Sequence, residues 1–309
     1  KASILNEAIG LLKECGNPEN NENNDTGLAI GYVQSGKTLS FTTVSALAVQ
    51  NGFNVIIVIA GSTVKLVNQT TERLADDLAI HKRSDVSWKP YKNPNINVID
   101  DIVCDMEEGL FNDKPALLIT IMKNKTHLQK LTRLFRSSKI KELGLKVLII
   151  DDEADQASLN TKASSDLEND ASAIYNEIIN IRSHIKNHTF LQYTATPQAP
   201  LFISILDILS PNFVKILTPG PAYTGGKTFF NRNKQSNYPY LINIPEEEIY
   251  SKKNPISRIP QSLMEAMMYY FITVAIGVLK GEHPKTHNRT MMIHPSVLTA
   301  VHTVYKRWA

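Results

Sequence analysis

Short apolar runs recur along the first two thirds of the chain. They cover residues 28–30, 55–60, 116–120, 147–150 and 190–194. A strand that is covered on both faces of a parallel sheet is continuously apolar, so each run predicts a buried strand. The stretches between the runs are long enough for helical crossovers. The pattern therefore predicts an α/β fold with a mostly parallel sheet.

Both ends of the chain depart from this alternation of apolar runs and helix-capable stretches. Residues 1–26 combine helical spacing with a polar Asn- and Glu-rich loop, and proline and glycine become frequent after residue 210. A strand-like run at 290–294 precedes a helix-like segment at 297–308. We expect four parts: an N-terminal helix and loop over 1–26, the main domain over 27–210, an irregular connector with an apolar helix over 211–285, and the start of a second α/β lobe over 286–309.

The most apolar run lies in the predicted connector, at 266–279. It falls short of the roughly 20 residues that span a bilayer, so we expect a buried helix and no membrane. Hydrophobic residues make up 42% and charged residues 20%, as in ordinary globular proteins. Cys15 and Cys104 have no metal-site spacing, which favours a cytoplasmic setting without zinc. The net charge of +3 leaves nucleic-acid binding open.

A phosphate-binding motif follows the first apolar run. Gly-Tyr-Val-Gln-Ser-Gly-Lys-Thr at 31–38 matches G-x-x-x-x-G-K-[ST] and precedes a helix-capable stretch. In such a loop Lys37 reaches the β and γ phosphates, and Thr38 offers its hydroxyl to Mg²⁺. The alternative is a glycine-rich turn without a ligand. We predict a site for ATP and Mg²⁺ whose nucleotide-binding residues are Gly31, Gln34, Ser35, Gly36, Lys37 and Thr38.

An acidic cluster follows the run at 147–150, where strands of open α/β sheets present residues to ligands. In the Asp-Glu-Ala-Asp register of 152–155, Asp152 binds the Mg²⁺ and Glu153 orients and deprotonates the attacking water. Whether Asp151 shares the metal stays open. An acidic loop alone is usually solvated surface. Together with a complete P-loop, it indicates that Asp152, Glu153 and Lys37 are catalytic.

Thr194 and Thr196 belong to a Thr-Ala-Thr-Pro segment that ends the next predicted strand. The three motifs resemble, in order, motifs I, II and III of superfamily 2 helicases and translocases over about residues 27–200. Ile-Asp-Asp-Glu-Ala-Asp-Gln-Ala-Ser from residue 150, Tyr-Thr-Ala-Thr-Pro from 193 and Tyr-Thr-Gly-Gly-Lys-Thr-Phe-Phe from 223 are also similar to the bacterial Z-one domain family, which is described as ATPases of endonuclease or restriction-type defence systems.

The resemblance implies a RecA-like P-loop NTPase fold and a nucleic-acid-dependent ATPase. Thr194 and Thr196 would be coupling residues, and DNA would be the partner, with a nuclease or methyltransferase domain or subunit outside this chain. No Q-x-x-R-x-x-R segment supplies arginine fingers, which contribute about 10³ to 10⁵ in rate, so we expect weak hydrolysis by this chain alone. The alternative function is a P-loop switch or assembly factor that does not translocate.

Candidate nucleic-acid contacts follow the second and third apolar runs. Ser62 and Thr63 begin a helix, where N–H groups and hydroxyls could bind a phosphate or where one side chain could simply cap the helix. Residues 122–146 contain eight basic residues and one acid. A solvated basic helix is the other interpretation of that segment. The candidates there are Thr120, Lys123 and Lys125, which would contact the backbone without reading sequence.

Overall fold

The computed structural model describes residues 2–20, 22–82, 85–108, 115–156, 166–202, 204, 207–226, 229, 241–250, 255–283, 287–296 and 298–309. The contacts between residues divide the chain into two compact units. Unit 1 is Lys1–Gly225, and unit 2 is Gly226–Ala309.

Unit 1 contains a sheet flanked by helices. Its described strands are β1 Asn23–Ile30, β2 Val55–Ala60, β3 Ser87–Lys92, β4 Pro115–Met122, β5 Lys146–Asp152, β6 Asn187–Thr194 and β7 Phe213–Ile216. Its described helices are α1 Ala2–Leu12, α2 Lys37–Gln50, α3 Val64–Asp77, α4 Ile99–Glu108, α5 Lys125–Arg136, α6 Ser138–Glu142, α7 Asp166–Ser183 and α8 Gln198–Phe202.

The sheet has the order β3-β4-β2-β5-β6-β1-β7, and every pairing in it is parallel. β1, which leads into the P-loop, lies next to β6, and β6 lies next to the acidic strand β5. All carboxyl ends of parallel strands meet at one edge of the sheet. This order gives unit 1 the RecA-like P-loop NTPase fold and brings the three sequence motifs to that edge.

Side chains of the strands alternate between two cores, since successive residues of a strand point to opposite faces. One core lies under α1, α2 and α3 and takes the even-numbered residues of β2 and β5. The other lies under α4, α5 and α7 and takes the odd-numbered residues. Both cores are built from buried Ile, Val and Leu, as the continuous apolar runs predict.

Five strands lie where apolar runs predict them, and two further strands were not predicted. β3 and β7 form the two edges of the sheet. β7 pairs with β1, so the sheet continues past residue 210, where we had expected the main domain to end. Residues 290–294, where we had expected a strand, form no strand with the described residues.

Unit 2 contains two described α-helices, α9 Gln261–Leu279 and α10 Thr299–Trp308. A small core joins Leu263 of α9 to Val301 and Tyr305 of α10. The expectation that the apolar run is buried is wrong, because only 6% of the most apolar window of α9 is buried. By length and composition α9 alone among the described helices could cross a membrane, and a single such helix is weak evidence for one.

Candidate nucleotide-binding and hydrolytic site

The P-loop connects β1 to α2 through a tight turn. The Ser35 N–H donates to the Tyr32 carbonyl at 3.2 Å, and Gln34 and Gly36 have left-handed φ angles of 54° and 97°. No described side chain caps α2, and the first N–H groups of a helix have no intrahelical partner. These donors and the positive end of the helix dipole favour an anion such as phosphate.

Gly31 allows the loop to close on itself. A Cβ at this position would lie 2.9 Å from the Lys37 side chain and 3.2 Å from the Ser35 hydroxyl. The Gly31 N–H donates to the carbonyl of Thr194 at 2.9 Å. The P-loop is therefore bonded directly to the strand that carries the Thr-Ala-Thr segment.

Tyr223 contacts the outer turn of the P-loop, a contact that the sequence did not reveal. Its hydroxyl donates to the Val33 carbonyl at 2.7 Å, and its ring centroid lies 5.7 Å from that of Tyr32. Residues 227, 228 and 230 of the expected family segment lie outside the described residues. Tyr223 thus holds the P-loop at Val33, before Gly36.

The two aspartates at the end of β5 lie on opposite faces of the sheet. Even-numbered residues of β5 face α2 and odd-numbered residues face α5. Asp152 therefore shares the face of the P-loop helix, and burial raises its pKa to about 6 although Lys123 and Lys37 act against this rise. A cation beside Asp152 would favour its charged form. Asp151 faces away from the P-loop helix, which argues against a shared metal role.

Glu153 leaves β5 in an unusual backbone conformation. Its φ of 55° is left-handed, which is uncommon for a residue with a side chain. The Glu153 carbonyl accepts from the N–H of Gln156 at 2.9 Å. Its side chain is exposed at the carboxyl edge of the sheet, where a water molecule can reach it.

Lys123, a nucleic-acid candidate from the sequence, is buried in the structure. Its side chain is 2% exposed. The ammonium lies 2.7 Å from Asp151 Oδ1 and donates to the carbonyls of Asp152 at 2.6 Å and Glu153 at 2.9 Å. The two carbonyl contacts are hydrogen bonds, and the contact with Asp151 is an ion pair. Because this ammonium is buried, a phosphate at the protein surface does not reach it.

Asp155 links the acidic cluster to the Thr-Ala-Thr segment. The hydroxyls of Thr194 and Thr196 each donate to a different carboxylate oxygen of Asp155, both at 2.6 Å. The Thr196 N–H also donates to the Thr194 hydroxyl oxygen at 2.9 Å. Asp155 was not among the residues that we expected to be functional, although it is the last residue of the Asp-Glu-Ala-Asp motif.

The loops after β2 and β4 are neighbours, because these strands are paired. Ser62 is exposed, and Thr63 caps α3 by accepting from the Leu66 N–H at 3.3 Å. Lys125 is exposed at the first residue of α5. These three candidates lie at the same edge of the sheet.

Thr120, a further nucleic-acid candidate, is buried in the structure. It is 1% exposed, and its hydroxyl lies 2.8 Å from that of Thr71. The Thr71 hydroxyl already donates to the Val67 carbonyl, so Thr120 is the donor of this pair. Thr120 therefore fastens β4 to α3 and does not present its hydroxyl to a ligand.

The residues at this edge fit Mg²⁺ only together with a phosphate ligand. Among the described residues no group of three or more His, Cys, Asp or Glu side chains could hold a metal ion. Mg²⁺ is commonly bound by one or two carboxylates, a hydroxyl and substrate phosphates, with water completing its shell. Asp152 and Thr38 would supply the carboxylate and the hydroxyl. This is a nucleotide-binding site of the P-loop ATPase type.

Comparison with known proteins gives likeness of fold only. No family model and no curated protein matches the sequence. A solved structure of the ATP-dependent Type ISP restriction-modification enzyme LlaBIII bound to DNA aligns with 16% identity and a TM-score of 0.40, covering 63% of this chain. The chain spans 12% of that enzyme's length.

Two further similar structures cover 70% of this chain each. Chloroplast FtsY from Physcomitrella patens aligns over 67% of its own length, with 14% identity and a TM-score of 0.32. The ORC2 protein from Aeropyrum pernix aligns over 46% of its length, with 15% identity and a TM-score of 0.25. At such TM-scores these likenesses carry no argument about function. The assignment of the site depends on the sheet order and the loops.

Proposed function

We propose that the chain is the ATP-binding lobe of a nucleic-acid-dependent ATPase of the superfamily 2 helicase and translocase type. The observation that carries this proposal is the bonding of Asp155 to Thr194 and Thr196. It joins the acidic motif to the Thr-Ala-Thr motif, beside a P-loop that bonds to the same strand. A P-loop protein that only transfers phosphate to a small molecule has no use for this link.

In the proposed reaction the triphosphate lies along the P-loop, with its anionic oxygens at the N-terminus of α2. Lys37 contacts the β and γ phosphates. Thr38 and Asp152 would hold Mg²⁺, and the ion would supply positive charge against the charge that develops on the phosphates. Glu153 orients the attacking water and accepts its proton.

We further propose that the nucleic acid is DNA and that it lies along the loops after β2 and β4. Ser62, Thr63 and Lys125 would contact its phosphates from helix N-termini. Such contacts do not read sequence and weaken as salt rises. By family resemblance, the ATPase would serve a restriction-like defence system in the bacterial cytoplasm, with a nuclease or methyltransferase as partner.

The test is ATP hydrolysis by the full-length protein with and without duplex DNA, single-stranded DNA and RNA. Lys37→Ala should weaken nucleotide binding. Glu153→Gln should keep binding and lower hydrolysis by about 10²-fold or more, since general-base catalysis contributes about 10² to 10⁴. Lys139→Met serves as a control, because Lys139 makes an exposed ion pair with Asp100.

Three outcomes separate the hypotheses. Stimulation by DNA supports the motor. Hydrolysis that no nucleic acid changes contradicts the motor and supports a nucleotide-controlled switch or assembly factor. Undiminished hydrolysis in both site variants would show that the site is misassigned.

A further inference from the structure

The buried ammonium of Lys123 lies beneath the two residues to which hydrolysis is assigned. It contacts three oxygens that belong to three successive residues, Asp151, Asp152 and Glu153. We propose that Lys123 is a positioning residue that fixes the backbone from which Asp152 and Glu153 project. This proposal depends on the proposed hydrolytic function.

The geometry of the peptide bond explains how a lysine can aim a neighbouring side chain. Each peptide unit is planar, so fixing its carbonyl direction fixes the whole unit. Lys123 binds the carbonyls of Asp152 and Glu153, and these two units flank the Cα of Glu153. Holding both units sets the φ and ψ of Glu153 and hence the direction of its Cβ.

The conformation that Lys123 holds is one that Glu153 would not favour alone. A left-handed φ of 55° places the Cβ of a non-glycine residue in a strained position. Such a conformation persists only when surrounding contacts determine it. The Gln156 N–H and the Lys123 ammonium both bind the Glu153 carbonyl, each at 2.9 Å, and the Ala154 N–H of the same peptide unit donates to the Tyr193 carbonyl at 2.9 Å. Lys123 alone also holds the preceding unit, through the Asp152 carbonyl.

Asp151 has a separate part in this arrangement. It is fully buried, and one of its oxygens lies 2.7 Å from Lys123 Nζ. The contact is an ion pair, since neither carboxylate oxygen of Asp151 has a hydrogen-bond partner among the described residues. A buried lysine requires a nearby counter-charge, and Asp151 supplies it. The extra acid before the Asp-Glu-Ala-Asp motif therefore neutralises Lys123, while the two carbonyl bonds do the positioning.

Two variants distinguish the neutralisation of charge by Asp151 from the positioning of the backbone by Lys123. Lys123→Met removes both the charge and the carbonyl bonds. The double variant Lys123→Met, Asp151→Leu removes the bonds and leaves no buried charge unpaired. We expect the double variant to melt closer to the wild-type temperature than Lys123→Met does. In both variants single-turnover ATP hydrolysis should fall at least about tenfold, since Glu153 loses its orientation.

Nucleotide affinity is the readout that distinguishes positioning from a general loss of structure. The dissociation constant of a non-hydrolysable ATP analogue, measured without Mg²⁺, should stay within about threefold of the wild-type value, because the P-loop is untouched. Affinity that falls in parallel with hydrolysis would overturn the proposal. So would full hydrolysis in the double variant, because charge neutralisation would then be the whole role of Lys123.

A mutant cycle with Glu153→Gln gives a second test, run at a temperature below the melting transition of every variant. If Lys123 acts through Glu153, Lys123→Met causes little further loss of hydrolysis in the Glu153→Gln background. If the two substitutions lower hydrolysis by factors that multiply in the Lys123→Met, Glu153→Gln double variant, the proposal is contradicted. Failure of the proposed function is recognised separately, because Lys37→Ala and Glu153→Gln would then hydrolyse ATP at the wild-type rate.

Discussion

Arg182 is among the largest fully buried side chains described, and it joins three segments of unit 1. It donates to His188 Nε2 at 3.0 Å and to the carbonyls of Ile208 and Asn24, both at 2.8 Å. Its guanidinium also lies 5.0 Å from the centre of the Phe190 ring. Burial lowers the pKa of Arg182 to about 10. His188 must therefore stay neutral to accept from a buried cation.

This pair predicts that the protein loses stability in mild acid. Burial and the charge of Arg182 lower the pKa of His188 from 6.5 to about 4. Below pH 6.5, His188 binds a proton in the unfolded chain but not in the folded chain. The free energy of unfolding therefore falls until about pH 4. The loss from this group is about 3 kcal/mol. Urea unfolding at several pH values should show it.

His188→Gln is the matched variant, because glutamine keeps an acceptor and cannot be protonated in this range. Its unfolding free energy should decline less between pH 6.5 and 4 than that of the wild type. Equal declines would show that other groups cause the acid loss.

A second residue-scale prediction concerns coupling. Asp155→Asn replaces one acceptor oxygen with an amide donor and removes the charge, so neither threonine hydroxyl keeps a bond to a carboxylate. We expect nucleotide affinity to stay unchanged while the stimulation of hydrolysis by DNA disappears. Asp105→Asn is the control, because it removes a carboxylate that likewise binds a hydroxyl, that of Tyr91 at 2.6 Å. Loss of stimulation in both variants would contradict a specific role of Asp155.

At the scale of elements, a glycine in β1 is required by the neighbouring strands. A Cβ on Gly27 would overlap the ring of Phe213 and lie 2.7 Å from the Leu191 side chain. Gly27→Ala should therefore destabilise unit 1 by about 1–3 kcal/mol, as measured by urea unfolding. Gly220→Ala is the control, since nothing lies within 4 Å of its added Cβ. Equal stability of the two variants would contradict the overlap.

The sequence predicted the inner strands and not the edges, for a physical reason. Strands β2, β4 and β5 are covered on both faces and are continuously apolar. β3 and β7 alternate between more and less buried residues, and β3 contains Pro90, which an edge strand tolerates. Edge strands therefore lack the apolar run that reveals a buried strand.

The features of the candidate site also divide into those that the sequence reveals and those that only the fold reveals. The P-loop and the acidic motif are contiguous, so their residue types and spacing are visible in sequence. The contacts of Lys123 with Asp151 and of Tyr223 with Val33 join distant segments, the latter separated by 190 positions. Their partners become visible only in the folded sheet. Because Lys123 lies in a basic segment, its sequence context favoured a surface position. The additional acid, Asp151, was a sign that it forms a buried ion pair.

For the whole molecule, the division into two compact units predicts what a shorter chain can do. The P-loop, the acidic motif and the Thr-Ala-Thr segment all belong to unit 1. Residues 1–225 should therefore fold alone and bind an ATP analogue with Mg²⁺ within about threefold of the longer chain, as measured by calorimetry. Residues 1–210 lack β7 and should be less stable. Loss of binding in 1–225 would show that unit 2 is required.

The position of β1 also sets the order in which the protein assembles. β1 has its hydrogen-bonded neighbours in β6, from Asn23 opposite Asn187, and in β7, from Gly27 opposite Phe213. A ribosome thus completes the P-loop sequence long before the strands that hold it exist. Pairings between such distant segments close slowly. In refolding from urea, helical signal should return first, and the ability to bind nucleotide should appear in the last kinetic phase.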